Sequence, residues 1–523
     1  MHTTGSICNR PSASPQANPG DAKERRLVWL LCALAAVHVF VFSAAFPFFS
    51  NIDEHTHFDL VLKCSHGQWP HGFENLGAEC CEYMQAYGSP EFLSPPNSYP
   101  DGRYPTPFWT AAGAAEISKS PLTLQQAATD MQSLRVFEGI KNYESGQQPI
   151  YYVLAGAWCR LGRECGLAGP CLIYWLRFLN ILFVVALVPI GYSAARLVFP
   201  EQTFPRLAVV VLLAFMPVHS FYLIGNDVLS PLSFGLAFIC LVRLWQTEEP
   251  GMALGAGTGL ALAAVYLQKL SNAPLLAVSG IFLAVKIFRL LKAKKLRASL
   301  PALACLGLCA GLPMAAWLVW TKHAFGDFAG TAAKIHFMTW TPKPFGAWFH
   351  HPMFSPSGIW TFVSALIITF WQGELWWHGQ PLHLPATDTF YVVSSLSLIL
   401  FCFAGFLPRY AAVTPAQRPL LLFALAVWLS TGVLLGWLSI GYDFGIGGSP
   451  SREYPFFTAG RLLLGGLIPF LLVYASGLNF LLRHVTVRWV RPAVLIAIVL
   501  VMLVSEIVTG WTVFSSHYNW YHL

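Results

Sequence analysis

The chain has 523 residues, of which 55% are hydrophobic and only 11% charged, and its net charge is +7. Soluble domains carry roughly 25% charged residues, so this composition, with a mean hydropathy of +0.54, excludes an ordinary soluble core. The surplus of Lys and Arg reads as cytoplasmic loops and not as a nucleic-acid surface. Many separate apolar runs reach the roughly 20 residues that a helix needs to cross a bilayer. Lipid cannot satisfy open strand edges, so helix is the expected form. The fold class is an all-α integral membrane protein.

In chain order, residues 1–22 are rich in Pro, Ser, Asn and Gly and read as a disordered cytoplasmic tail. A first span is expected over 27–49. Lys23, Arg25 and Arg26 precede it and set the N-terminus in the cytoplasm, and its length reads as a signal anchor. A long outer loop, 50–148, follows, with an amphipathic helix expected over 122–140. A loop of that length is usually functional. Further spans are expected over 171–197, 206–225, 228–246, 252–268, 272–288, 298–320, 389–408, 419–440, 459–481 and 491–512. The segments 149–161 and 358–371 are read as interface helices, because only then does every later basic cluster fall on the cytoplasmic side. That gives about 11 spans in a multi-pass protein of the inner (plasma) membrane, with a periplasmic C-terminus. The transmembrane domain runs over 23–481, with a second large outer loop at 322–388, and 482–523 holds the last span and a tail. No internal repeat is visible, so an inverted-repeat transporter gains no support.

Twelve cysteines divide by context. Cys32, Cys240, Cys305, Cys309 and Cys402 lie in apolar runs and read as packing residues. Cys64, Cys80, Cys81, Cys159 and Cys165 fall outside, where a disulfide such as Cys159 with Cys165 is plausible.

The stretch Asn51-Ile52-Asp53-Glu54-His55-Thr56-His57-Phe58-Asp59 follows the first span directly. Ionisable groups at a membrane boundary cost free energy unless they face a cavity, a partner or the interface, so they mark a candidate site. Asp53 and Glu54 suit general base work; a solvated helix end is the plain alternative. His55, His57 and Asp59 are candidate ligands for a divalent metal, against hydrogen-bonded histidines with no metal. Asn226-Asp227, in a short link between spans, offers a second carboxylate or a helix cap. Lys269 interrupts an apolar stretch beside Gln268, Ser271 and Asn272, and Arg461 opens a late span. Both are suited to binding a phosphate, and both are equally suited to snorkelling. Glu374, Asn226-Asp227, residues 334–343 and residues 443–461 fall on the same outer face. Trp340, Trp348, Trp360, Trp371, Trp376 and Trp377 gather in the outer region as an interface belt or a sugar-stacking surface.

The order of these features resembles the GT-C membrane glycosyltransferases, among them protein O-mannosyltransferases and the aminoarabinose transferase of lipid A, and related bacterial membrane proteins of unassigned function. The resemblance covers residues 27–480. It runs through the Asp53-Glu54-His55 segment and Glu144-Ser145-Gly146-Gln147-Gln148-Pro149-Ile150-Tyr151-Tyr152. It continues with Arg177-Phe178-Leu179-Asn180, Asn226-Asp227, Gln268-Lys269-Leu270-Ser271 and Gly460-Arg461-Leu462. Gln147-Gln148 stands where the family has His-Pro, and Leu462 where Tyr is common.

By that resemblance the donor is a sugar on a polyprenyl phosphate and the acceptor is a periplasmic glycan, lipid or protein. Asp53 is the base, assisted by Glu54 and Asp227. Lys269 and Arg461 hold the departing phosphate, with Tyr151 and His57 beside it, and the transfer inverts the sugar carbon. No cofactor is required by the pattern, though a divalent metal remains open. The competing expectations are a non-catalytic scaffold subunit with the same fold and a lipid or solute transporter.

Overall fold

The computed structural model of the chain describes residues 19–107, 110–112, 139–410, 412–445 and 450–519. Most of the tail and nearly all of the expected helix over 122–140 lie outside them. The first helix, α1 (Pro19–Ala45), begins within the segment read as tail, with proline at its opening position, where its missing N–H costs nothing. The helices that follow are α2 (Glu54–Ser65), α3 (Ala78–Tyr87), α4 (Pro149–Glu164), α5 (Pro170–Val198), α6 (Thr203–Ala214), α7 (Ser230–Gln246) and α8 (Met252–Gln268). After them come α9 (Ala273–Lys292), α10 (Leu296–Phe325), α11 (Ala332–Phe337), α12 (Pro356–Gln372), α13 (Pro385–Gly405), α14 (Gln417–Gly441), α15 (Leu467–Leu481) and α16 (Val490–Phe514). Sheet among the described residues is limited to two pairs of two-residue strands.

Nine of the helices among the described residues are long and apolar enough to cross a membrane. They are α1, α5, α10, α13, α14 and α16, together with α7, α9 and α15, each extended by the 3₁₀ turn that leads into it. This is the construction of a multi-pass helical membrane protein. Two of the expected spans meet helices shorter than a span, Thr203–Ala214 and Met252–Gln268. The stretch 206–225 is helical only as far as Ala214. Pro217 has no N–H to donate and biases the residue before it away from the helical region, so the chain leaves α6 and continues through 3₁₀ turns. The two expected interface helices are α4, of 16 residues, and α12, of 17.

The span Gly460–Leu481 is the most enclosed, with 89% of its apolar window buried, whereas Leu296–Phe325 has only 6% buried. The first is the centre of the bundle and the second its rim. The rim helix α10 is held by α8. A Cβ at Gly255 would meet the Ala302 carbonyl, and one at Gly259 the Leu306 carbonyl. Small residues four apart let the two backbones touch, which substitutes for the hydrophobic drive that lipid removes.

Five elements turn at the same end of this bundle. There α1 leaves toward Asp53, the turn Asn226–Leu229 enters α7, α8 leaves at Gln268, α12 leaves at Gln372, and the turn Gly460–Gly466 enters α15. The loops at that end are tied by the antiparallel pair β1 (Thr341–Pro342) and β4 (Tyr442–Asp443). The second pair is a hairpin, β2 (Trp376–Trp377) and β3 (Gln380–Pro381), whose turn residues His378 and Gly379 both have positive φ, as a twisted two-residue hairpin demands.

Every described cysteine is a free thiol, so the Cys159–Cys165 disulfide is corrected. Cys159 is buried within α4 and Cys165 is exposed just past its end. At roughly 3.6 residues per turn their spacing puts them on different faces.

Candidate functional site

Asp53 caps the start of α2 in the left-handed region, at φ 56° and ψ 16°. Asp tolerates that conformation better than most residues, and such strain persists only where the surroundings enforce it. The turn directs Asp53 and Glu54 to different places. Asp53 Oδ1 accepts the Tyr143 hydroxyl at 2.6 Å, and its Oδ2 pairs with Arg461 Nη2 at 2.5 Å.

Arg461 is the hub. Its Nη1 faces Asp227 Oδ2 at 3.7 Å and its Nε faces Glu374 Oε2 at 3.6 Å, so each guanidinium nitrogen looks at a different carboxylate. Gly460 makes this possible: a Cβ there would run into the backbone of Thr369 and Phe370, and its N–H donates to Thr369 Oγ1 at 3.1 Å. Lys269 pairs with Asp227 Oδ1. The four sequence candidates Asp53, Arg461, Asp227 and Lys269 therefore form one continuous chain of ion pairs. Each comes from a turn next to a span end and not from a span interior.

A second shelf covers this chain. Lys334, on α11, pairs with Glu144 and lies over the Tyr143 ring at 5.4 Å. Glu144 also accepts from Gln147, whose Oε1 receives Asn226 Nδ2 at 2.9 Å. Gln148 Oε1 accepts the Leu270 N–H at 2.8 Å. The pair Gln147-Gln148 thus joins the Asp227 turn to the Lys269 turn by side-chain amides.

Electrostatics follow from this packing. Burial pushes the Asp53 carboxyl up, but Arg461, Lys334 and His57 together with the Tyr143 hydrogen bond outweigh it and hold Asp53 well below the usual carboxylate range. Burial likewise acts on Glu144, and Lys334 brings it below its ordinary value. Glu374 goes the other way: burial lifts it from 4.5 to about 7, with Arg461 opposing and Asp227 and Asp53 adding to the rise. His57 is lowered to about 4 by burial, which Glu144 and Asp53 only partly offset.

The remaining sequence candidates divide. Glu54 is fully buried, its carboxylate pairs with Arg177 through two contacts of 2.8 Å, and it accepts the N–H groups of Ser50 and Ile224. Arg177 in turn donates to the carbonyls of Ser43, Phe46 and Pro47. Glu54 is a clamp between α1, α2 and α5, closed to any reactant. Tyr151 is also fully buried, and its hydroxyl accepts the Gly225 N–H at 3.1 Å, which fixes the turn that carries Asp227. His57 Nδ1 shares a hydrogen bond of 2.7 Å with the Tyr152 hydroxyl.

The metal set does not converge. Asp59 is taken by the Gly77 N–H, Asn142 and Lys63, and it ties α2 to α3. His55 lies edge-on to Tyr143. Among the described residues no three His, Cys, Asp or Glu side chains group as a metal requires. Between Asp53, Asp227 and Glu374, the place a divalent ion would take is filled by the Arg461 guanidinium. The tryptophans also divide: Trp371 is core and donates to Ser395 Oγ, whereas Trp360 and Trp376 are exposed.

Four buried polar atoms around the cluster lack a hydrogen-bond partner: Arg461 Nε, Asn226 Oδ1, Gln268 Oε1 and Ser271 Oγ. Two adjoining hollows, of about 290 and 410 Å³, share Trp69 and Val153. The larger is lined by Pro149 and Leu267, next in sequence to Gln148 and Gln268, and by Pro313, Trp317 and Trp320 of the exposed helix α10. A polar recess of about 260 Å³ around Lys343, His350, Asp443 and Arg452 shares no residue with the cluster.

Tyr143 and the Glu374–Arg461 contact escape a reading of the sequence. Tyr143 is one aromatic among many in a long loop. Glu374 carries a signal, being a lone carboxylate among tryptophans, but nothing local says what it faces. Searches against protein-family models and against curated proteins find no match to this chain.

Proposed function

We propose that this chain is a membrane glycosyltransferase that moves a sugar from a polyprenyl-phosphate donor to an acceptor on the outer face of the membrane. The observation that carries the reading is one guanidinium divided among three carboxylates at the mouth of a helical bundle, joined by Asp227 to a buried lysine. Cations held in such shared pairs are preorganised and exchange partners readily when a more highly charged anion arrives. A departing phosphate is that anion, and fixed cations lower its cost most as its charge develops. The hollow beside Pro149 and Leu267 is apolar and opens along the exposed helix α10, which suits a lipid tail whose phosphate lies at Lys269.

Asp53, ionised and facing the cluster, receives the hydrogen bond of the acceptor hydroxyl or amine and aligns it for attack. The sugar carbon is displaced once, so its configuration inverts. The N-terminus is cytoplasmic in this reading, and α1 delivers Asp53 to the outer face.

The test is Asp53→Asn, assayed for label moved from polyprenyl-phosphate mannose, glucose or aminoarabinose in native membranes. Transfer is expected to fall roughly 10²- to 10³-fold, and unchanged turnover removes Asp53 from the mechanism. A scaffold role is the second reading. It is favoured by the fact that Asp53, Asp227 and Glu144 are each already paired, and stable copurification with a larger complex, without binding of lipid-linked sugar, would support it.

A further inference from the structure

The carboxylates of the cluster differ in how their lone pairs are used. Asp53 has one oxygen on Tyr143 and the other on Arg461. Asp227 has one on Lys269 and the other toward Arg461. Glu144 has one on Lys334 and the other on Gln147. Glu374 stands apart, for its carboxylate receives only a long hydrogen bond, 3.4 Å, from the Arg461 backbone N–H, and Arg461 Nε lies 3.6 Å away, both longer than the usual range. The Arg461 Nε–H beside it is one of the orphaned donors. The Glu374 side chain is 23% exposed, against 4% for Asp227. The loose carboxylate is therefore the partly exposed member of the pair, and the unused donor lies buried behind it.

Glu374 is nonetheless held firmly by its backbone. The Asn51 side chain donates to the Glu374 carbonyl at 3.2 Å and accepts the Trp376 N–H at 3.0 Å. Asn51 precedes Asp53 by two residues, so the two carboxylates are positioned from one segment. Gly373, at φ 97°, turns the chain out of α12 to present the residue.

We infer that Glu374 is the proton acceptor of the transfer, taking the hydrogen that Asp53 has aligned. The inference rests on the glycosyltransferase reading. Asp53 is ill suited to keep that proton, being held ionised far below neutrality by Arg461, Lys334 and His57 in spite of its burial. Glu374, raised by burial to about 7 with Arg461, Asp227 and Asp53 facing it, is balanced between its two forms where a general base works best. The acceptor O–H or N–H gives its proton to Glu374. The freed electron pair bonds to the sugar carbon, and the bond from that carbon to the phosphate oxygen breaks, its pair leaving with the polyprenyl phosphate. Protonation of Glu374 removes one of the three negative neighbours of Arg461 as the phosphate gains charge. The guanidinium is thereby released toward the leaving group, and Glu374 returns its proton to solvent.

Two measurements on the full-length protein test this. In the first, the infrared spectrum is followed between pH 5 and 9 for a protonated-carboxyl band. A band titrating near pH 7 that Glu374→Gln removes supports the assignment; its absence overturns it. In the second, label transfer from the same three polyprenyl-phosphate sugars is followed against pH. Glu374→Gln should lose roughly 10²- to 10⁴-fold in kcat together with the rise of rate through pH 7, and Glu374→Asp should keep that rise at a lower rate. A Glu374→Gln protein that transfers sugar at the parent rate with the same pH limb overturns the role of Glu374 while the function stands. A parent protein that shows the band but moves no sugar overturns the glycosyltransferase reading, and the proton-acceptor role falls with it.

Discussion

Asp53 and Glu54 are neighbours in the chain and opposites in the fold. Each meets an arginine from a distant helix. Glu54 is wholly buried, with its arginine shared by no other acid, two backbone N–H groups on its carboxylate and three carbonyls on the guanidinium. Asp53 retains 17% exposure, and its arginine is divided among three acids with one N–H unused. A saturated pair has one arrangement and holds the structure. An over-subscribed arginine has other acids to turn to when one contact is lost, and under the proposed function an arriving phosphate competes with them for it. The difference comes from the left-handed turn at Asp53, which points consecutive side chains into a sealed joint and an open cluster.

The comparison breaks most visibly at the clamp. Arg177→Met leaves Glu54 buried and unpaired, a change that costs roughly 3–5 kcal/mol. It should appear as a large fall in thermal midpoint in detergent. Adding Glu54→Leu should recover only part of that loss, because the carbonyls of Ser43, Phe46 and Pro47 still lack their donor.

At the cluster the readout changes. Asp53→Asn should cost less stability than Arg177→Met, because Arg461 keeps Asp227 and Glu374 as partners, while removing most sugar transfer. If instead it unfolds the protein as Arg177→Met does, the two pairs are alike and the contrast is lost.

A smaller effect is expected at Lys269→Met. Charge-assisted hydrogen bonds contribute about 1.5–3 kcal/mol. Binding of polyprenyl phosphate, measured by quenching or calorimetry, should therefore weaken roughly tenfold or more.

The last contrast is read as a slope against pH. Glu374 binds its proton more tightly in the folded chain, at about 7, than at its ordinary 4.5. The unfolded state then holds fewer protons across that window, so this residue makes stability fall as pH rises from 4.5 to 7 and levels the trend above it. Asp53, whose value is lowered, acts oppositely, and its contribution is lost as pH falls below the ordinary carboxylate range. Unfolding midpoints of Glu374→Gln and the parent, compared at several pH values, should differ in slope over 4.5–7 and run parallel above it.

Much of the site was legible as chemistry out of place. Asp53, Asp227, Lys269 and Arg461 drew notice because charge beside apolar runs is costly without a partner, and the fold joins all four. In sequence Glu54 reads like Asp53, since neighbouring carboxylates look alike until a turn separates them. Tyr151 reads as a ligand contact and in the fold is an internal support. Glu374 stands out in sequence without a place, because its meaning depends on Arg461, far along the chain. The stretch 206–225 has the apolar length of a span, and Pro217 shortens its helix.

By itself the sequence determined the helical membrane-spanning character, since apolar runs of bilayer length admit hardly any other backbone arrangement. It also determined which polar residues required a partner, since a charge beside lipid is costly alone. Only the tertiary structure decided which partner each one met. Pairing across hundreds of residues depends on which helix ends share one face of the bundle and how their turns aim the side chains, and neither is written in local pattern.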